Sequence, residues 1–258
     1  MILEYKSSKV FYSIFGTGKT VVLIHGFLEN SSMWDKLVED LSIKNQVVCV
    51  DLLGHGKSEC LGYVHKMTDF ADAVQAILTH LNIKTFKIVG HSLGGYVALA
   101  LAEMNTNIID GLCLMNSSTQ PDSNDRILLR NRALKAAKTN YKNLVSMSIS
   151  NLFYLENRTK FSEDIKCLKS EALKTPIQGY VGAQEGMKLR ADKTDFFNHA
   201  AFSKMIIAGK KDPVIDFNTS KENALKSNSI FIALEGGHMS HVEDLQDLKR
   251  ALLQFINL

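Results

Sequence analysis

Phe86-Lys87-Ile88-Val89-Gly90-His91-Ser92-Leu93-Gly94-Gly95-Tyr96-Val97-Ala98-Leu99-Ala100-Leu101-Ala102 decides the fold. The opening four residues form a short, largely apolar run with β-branched side chains, which reads as a strand. Residues 96–102 read as a buried helix. Between them a serine stands at the apex of a sharp turn, with glycines two residues before and two after. That is the context of a nucleophile elbow. The serine backbone must be strained there, so its neighbours must be nearly free of side chain. Gly90 and Gly94 meet that need, and Gly95 gives the helix room to pack on the strand. The pentapeptide is weak by itself and strong in this setting.

Working outward, residues 10–15 and 21–24 read as neighbouring strands joined by the turn Gly16-Thr17-Gly18. Residues 47–50 form another β-branched strand, after an amphipathic segment around Trp34, Leu37, Val38 and Leu41. Phe70, Val74, Ile77, Leu78 and Leu81 share one face of a helix over 68–81. A strand follows at 111–115. The rhythm then breaks, and residues 117 to 186 are polar, basic and helix-like. It resumes with strands at 205–208 and 230–234 and helices at 219–225 and 245–256. Such alternation predicts an α/β fold with a mostly parallel sheet flanked by helices. The expected division is core at 1–117, an inserted helical lid at 118–186 and core again at 187–258. A lid there covers the carboxyl edge of the sheet, where open α/β sheets bind ligands.

A serine hydroxyl needs a base to take its proton and an acid to hold that base in one tautomer. Asp212 stands just past the strand at 205–208, and His238 just past the strand at 230–234. The order Ser92, Asp212, His238 is the triad order of this fold. Asp216 and His241 are the reserve acid and base, lying further past the strand ends. Taken singly, an aspartate before proline is ordinary turn chemistry and a histidine after a strand an ordinary loop residue. The oxyanion needs two preorganised N–H donors. Leu93, next after the nucleophile, and Phe27, in the His25-Gly26-Phe27 loop, are the candidates. Phe27, Trp34 and Leu93 are also the expected pocket walls.

Two phosphate-binding patterns fail. Gly16-Thr17-Gly18-Lys19-Thr20 has Ser13 where a P-loop needs its first glycine, and a strand follows it. Gly54-His55-Gly56 has Glu59 in place of the third glycine of a dinucleotide fingerprint. The chemistry asks for no cofactor and no metal. Cys49, Cys60, Cys113 and Cys167 match no zinc or redox spacing. The net charge of +3 gives no ground for a nucleic-acid partner. Residues 1–10 hold Glu4, Lys6 and Lys9 and no apolar core of secretory length, and no run is long enough to span a bilayer. These features predict a cytoplasmic protein.

Five ordered blocks resemble the α/β-hydrolase superfamily: His25-Gly26-Phe27, Asp51-Leu52-Leu53-Gly54-His55-Gly56-Lys57-Ser58, Gly90 to Gly95, Gly209-Lys210-Lys211-Asp212-Pro213 and Gly237-His238-Met239-Ser240-His241-Val242-Glu243. Leu53 departs from the proline usual there. The likeness is greatest to the small carboxylesterase and carbon–carbon-bond hydrolase branch. It implies an eight-stranded sheet and a serine hydrolase acting on a small-molecule ester of small or medium acyl chain. A carbon–carbon hydrolase, a thioesterase or a slow-turnover ligand receptor would keep the same triad. Residues 118–190 hold 13 Lys or Arg against 7 Asp or Glu. This basic lid is either a solvated outer face or a device for an anionic substrate or acidic acyl carrier.

Overall fold

Strands that are apolar on successive residues must be covered on both faces, and they form the centre of the sheet. The computed structural model describes Met1–Leu258. Its strands are β1 (Ile2–Tyr5), β2 (Ser8–Phe15), β3 (Lys19–Ile24), β4 (Asn45–Val50), β5 (Phe86–His91), β6 (Ile109–Met115), β7 (Ser203–Gly209) and β8 (Ile230–Leu234). They make one eight-stranded sheet in the order β1-β2-β4-β3-β5-β6-β7-β8. β2 runs antiparallel to β1 and β4, and the remaining pairs are parallel.

The helices are α1 (Asp35–Leu41), α2 (Met67–His80), α3 (Leu93–Met104), α4 (Asn124–Leu152), α5 (Ser162–Ala172), α6 (Ile177–Lys188), α7 (Thr194–His199), α8 (Phe217–Lys226), α9 (Ser240–Glu243) and α10 (Leu245–Ile256). Alternate strand residues feed two cores, as the two-residue period of a strand requires. Val22, Ile24, Val48, Val50 and Ile88 pack under α2 and α3. Val21, Leu23, Val47, Cys49 and Val89 pack against α1 and α10 on the other face. α3 is apolar all round and buries ten of its twelve residues, Leu93 to Ala102. α10 turns only Leu248, Ala251, Leu252, Phe255 and Ile256 inward, the spacing of one helix face.

Two features differ from the sequence expectation. β2 and β3 are not neighbours, because β4 lies between them and pairs with both. The Gly16-Thr17-Gly18 turn therefore crosses the entry to β4. A side chain at Gly16 or Gly18 would strike the carbonyls of residues 42 to 45. The chain also opens with β1, which adds an edge strand to β2. Between β6 and β7 lie only helices, α4 to α7, the last ending at His199. α4 is broken at Asn140, whose φ of −147° and ψ of 53° are not helical. Every one of the four free cysteines is unpaired, and Cys49 and Cys113 are buried among apolar neighbours that push their thiols up. No helix is long and apolar enough to cross a membrane.

Candidate active site

Ser92 follows β5 and caps α3 with φ +50° and ψ −114°. This is a conformation that a residue bearing Cβ holds only when its surroundings impose it. They do. Its N–H donates to the Met115 carbonyl at 3.0 Å, and its carbonyl accepts from the Gly95 N–H at 2.9 Å and the Ser117 hydroxyl at 2.8 Å. A Cβ on Gly90 would sit 2.3 Å from the Gly94 carbonyl oxygen, so strand and helix meet there without space for any side chain.

The carboxyl ends of β7 and β8 bring the sequence-distant acid and base together. His238 Nδ1 donates to Asp212 Oδ2 at 2.8 Å, with both side chains almost wholly buried. That bond leaves Nε2 as the free basic nitrogen. The other Asp212 oxygen accepts the N–H groups of Val214 (2.7 Å) and Ile215 (3.0 Å). Burial opposes the Asp212 charge, but the His238 ring and these donors outweigh it and hold the carboxyl below its ordinary value. Asn116, at the end of β6, was not singled out from the sequence. Its φ is +47°, and its amide donates to Asp212 Oδ2 at 3.0 Å and to the Gly237 carbonyl at 3.2 Å. Its carbonyl accepts the Ser240 hydroxyl at 2.7 Å. A polar residue closing an apolar strand at the ligand-binding edge was the signal available. The reserve candidates have other work. Asp216 caps α8 through the Thr219 N–H, and His241 is buried beneath the loop after β3.

That loop begins with a braced histidine. His25 Nδ1 donates to the Gly26 carbonyl at 2.7 Å, and Nε2 accepts the Leu52 N–H at 2.9 Å, so the ring is neutral in one defined tautomer. The Phe27 N–H donates to no group of the protein. The Leu93 N–H belongs to the first turn of α3, whose amides have no partner within the helix.

Beneath the loop lies a group that sequence reading gave no sign of. His91 Nδ1 faces Glu29 Oε2 at 2.7 Å, and Nε2 faces the His238 carbonyl at 3.0 Å. Both partners are acceptors, so both ring nitrogens carry protons and His91 is an imidazolium. Burial opposes that charge, but the Glu29 carboxylate offsets it and raises the His91 value. Burial likewise opposes the Glu29 charge, yet His91 holds its carboxyl down to about 2. The Gly26 N–H donates to the same Glu29 oxygen at 2.6 Å. His241 stands 3.8 Å from the other one, with burial pushing it down to about 4. Glu29, His91 and His241 place donor atoms within 4.8 Å of one another, a set that zinc could use. The 2.7 Å contact is that of a shared proton. Two ligands at the tetrahedral angle on zinc would stand about 3.3 Å apart.

Ser92 and His238 open on one cavity of about 220 Å³, lined also by Phe27, Glu29, His91 and residues of α4 and α6. Arg126, Leu129, Arg130 and Ala133 line it at the spacing of one α4 face. Trp34 and Leu93 do not line it. Trp34 is fully buried on the opposite face of the sheet among Leu37, Leu41 and Val47, and the Leu93 side chain lies in the core under α2. The cavity roof is tied to the histidine loop. The His238 N–H donates to the Leu152 carbonyl at the end of α4, and Glu243 accepts from Gly237, Tyr154 and Asn157.

A family model described as alpha/beta hydrolase fold matches residues 19–245. The chain spans about a third of the length of the first curated relatives it matches. One of these, from Mycobacterium tuberculosis, is 35% identical over 106 residues, 41% of this chain and 31% of that protein. The pimeloyl-[acyl-carrier protein] methyl ester esterase of Vibrio vulnificus is 24% identical over 247 residues, 93% of this chain and 95% of that protein. A thermophilic esterase from Thermogutta terrifontis superposes with a TM-score of 0.93 at 24% identity, covering 100% of this chain and 97% of that one. At that identity the superposition speaks for the fold alone.

Proposed function

The chain belongs to the alpha/beta hydrolase fold family, and we propose that within it the protein is a serine hydrolase cleaving carboxylic esters of small or medium acyl chain through an acyl-enzyme. The observation that carries this reading is the 2.8 Å His238–Asp212 hydrogen bond at the rim of the cavity that also holds the strained Ser92.

In this mechanism His238 Nε2 takes the Ser92 proton as Oγ attacks the ester carbonyl. Asp212 fixes the ring and stabilises the imidazolium that forms, with Asn116 and two backbone amides fixing Asp212 in turn. The N–H groups of Phe27 and Leu93 receive the negative oxygen, and each such donor is worth roughly 10²–10³ in rate. The imidazolium then gives its proton to the departing alcohol. Water, deprotonated by His238, releases the acyl group by the reverse path. Helices α4 to α6 serve as the lid, excluding bulk water from the charged intermediate.

The test uses p-nitrophenyl esters of increasing acyl length. Wild-type protein should hydrolyse the shorter members, and Ser92→Ala should lower kcat/KM by roughly 10⁴–10⁶-fold. Near-native turnover by the variant would remove Ser92 as nucleophile. Negligible turnover by the wild type would favour a ligand receptor.

A further inference from the structure

Five basic residues cluster between Arg126 and Lys138 on α4, and the fold divides their work. Arg132, Lys135 and Lys138 are exposed to solvent. Arg130 is buried and held by Asp122 (2.5 Å) and Gln184 (2.9 Å). Arg190, at the exit of α6, reaches the same Asp122 at 2.5 Å and stacks on Tyr96 at 4.1 Å. Its place is thus that of a brace. One carboxylate therefore serves two guanidinium groups.

Arg126 is different. It is half-buried, and it lines both the cavity holding Ser92 and His238 and the cleft beside it. Its backbone N–H caps onto Ser123, and its guanidinium takes part in no hydrogen bond or ion pair. The other charges of the cavity wall are already matched, Glu29 by His91 and Arg130 by Asp122. The cavity that holds Ser92 and Arg126 is mostly apolar, and Leu129, Ile149, Leu152 and Met187 are among the residues lining it. A mostly apolar cavity that carries one unmatched cation suits an aliphatic chain bearing an anion. A guanidinium binds a carboxylate through two parallel hydrogen bonds, and partial burial strengthens them.

We propose that Arg126 anchors an anion subsite, and that the substrates are esters whose acyl chain ends in a carboxylate, half-esters of aliphatic dicarboxylic acids. This rests on the ester-hydrolase reading above and adds the substrate class. The exposed Arg132, Lys135 and Lys138 take no part in it.

The experiment compares two esters of equal chain length, the p-nitrophenyl monoester of adipic acid and p-nitrophenyl hexanoate, on wild type, Arg126→Gln and Arg126→Lys. Wild type should prefer the adipate monoester. Arg126→Gln should cut the ratio of kcat/KM values, adipate over hexanoate, by about 10–100-fold. Arg126→Lys, which keeps the charge and loses the fork, should fall between. A wild type that prefers hexanoate, or a ratio left within about twofold by Arg126→Gln, overturns the subsite while leaving the esterase reading standing. If neither ester is cleaved, the esterase reading fails instead. Calorimetric binding of adipate to wild type and Arg126→Gln then decides the subsite: weaker binding to the variant supports it, and equal binding or none rejects it.

Discussion

Glu29 shows how a single buried charge can hold several parts of a site. It joins the Gly26 N–H of the loop after β3 to His91, whose ring in turn holds the His238 carbonyl. Glu29→Gln leaves an imidazolium buried without its counter-ion, a loss of about 3 kcal/mol by analogy with other broken buried pairs. For a chain of this length that is on the order of 10 °C in Tm. The pH dependence has a defined sign on each side. Glu29 is lowered from 4.5 to about 2, so its contribution is full above 4.5 and is lost as pH falls toward 2. His91 is raised above 6.5, so its contribution is full below 6.5 and is lost as pH rises through the higher folded value. The Tm gap between wild type and Glu29→Gln should therefore be widest between pH 4.5 and 6.5 and narrow on both sides. A gap independent of pH would mean that His91 is not charged. None of this was legible in the sequence, because Glu29, in the loop after β3, and His91, the last residue of β5, stand 62 positions apart and meet only in the fold. Ser92, Asp212 and His238 stood out as candidates because they follow the ends of β5, β7 and β8 by one, three and four residues.

At the level of elements, strand, turn and helix around Ser92 form one rigid unit whose tolerances are set by its glycines. Gly90→Ala would drive a methyl group into the backbone of α3, 2.3 Å from the Gly94 oxygen, where no side chain can yield. A cost of about 3 kcal/mol or more is expected. Gly62 is the control. Its φ of +77° strains any substitute, but a Cβ there meets nothing within 4 Å. Gly62→Ala should then cost only about 1–2 kcal/mol. Chemical denaturation of the two variants checks the order, and equal losses would refute the close-packing account. Most elements could be read from pattern because β-branched runs and helical spacing are local. The placing of β4 between β2 and β3 could not, since a glycine turn between two apolar runs also describes a hairpin. Trp34 shows the same limit. Its nearness in sequence to the His25-Gly26-Phe27 loop suggested a pocket wall, yet the helical turn it occupies faces the lower core.

Over the whole molecule, four loops at one sheet edge, following β3, β5, β7 and β8, converge on one cavity roofed by α4 and α6. The cavity roof is not a free flap, because the Leu152 carbonyl and Glu243 bind it to the histidine loop. The proposed chemistry turns on whether Ser92 is a nucleophile activated by His238. The most direct measurement is labelling with a fluorophosphonate probe, with the adduct located by peptide mass spectrometry in wild type and His238→Gln. One adduct, on Ser92, is predicted, with labelling at least about a hundredfold slower in the variant. An adduct elsewhere, or equal rates in the two proteins, would contradict it.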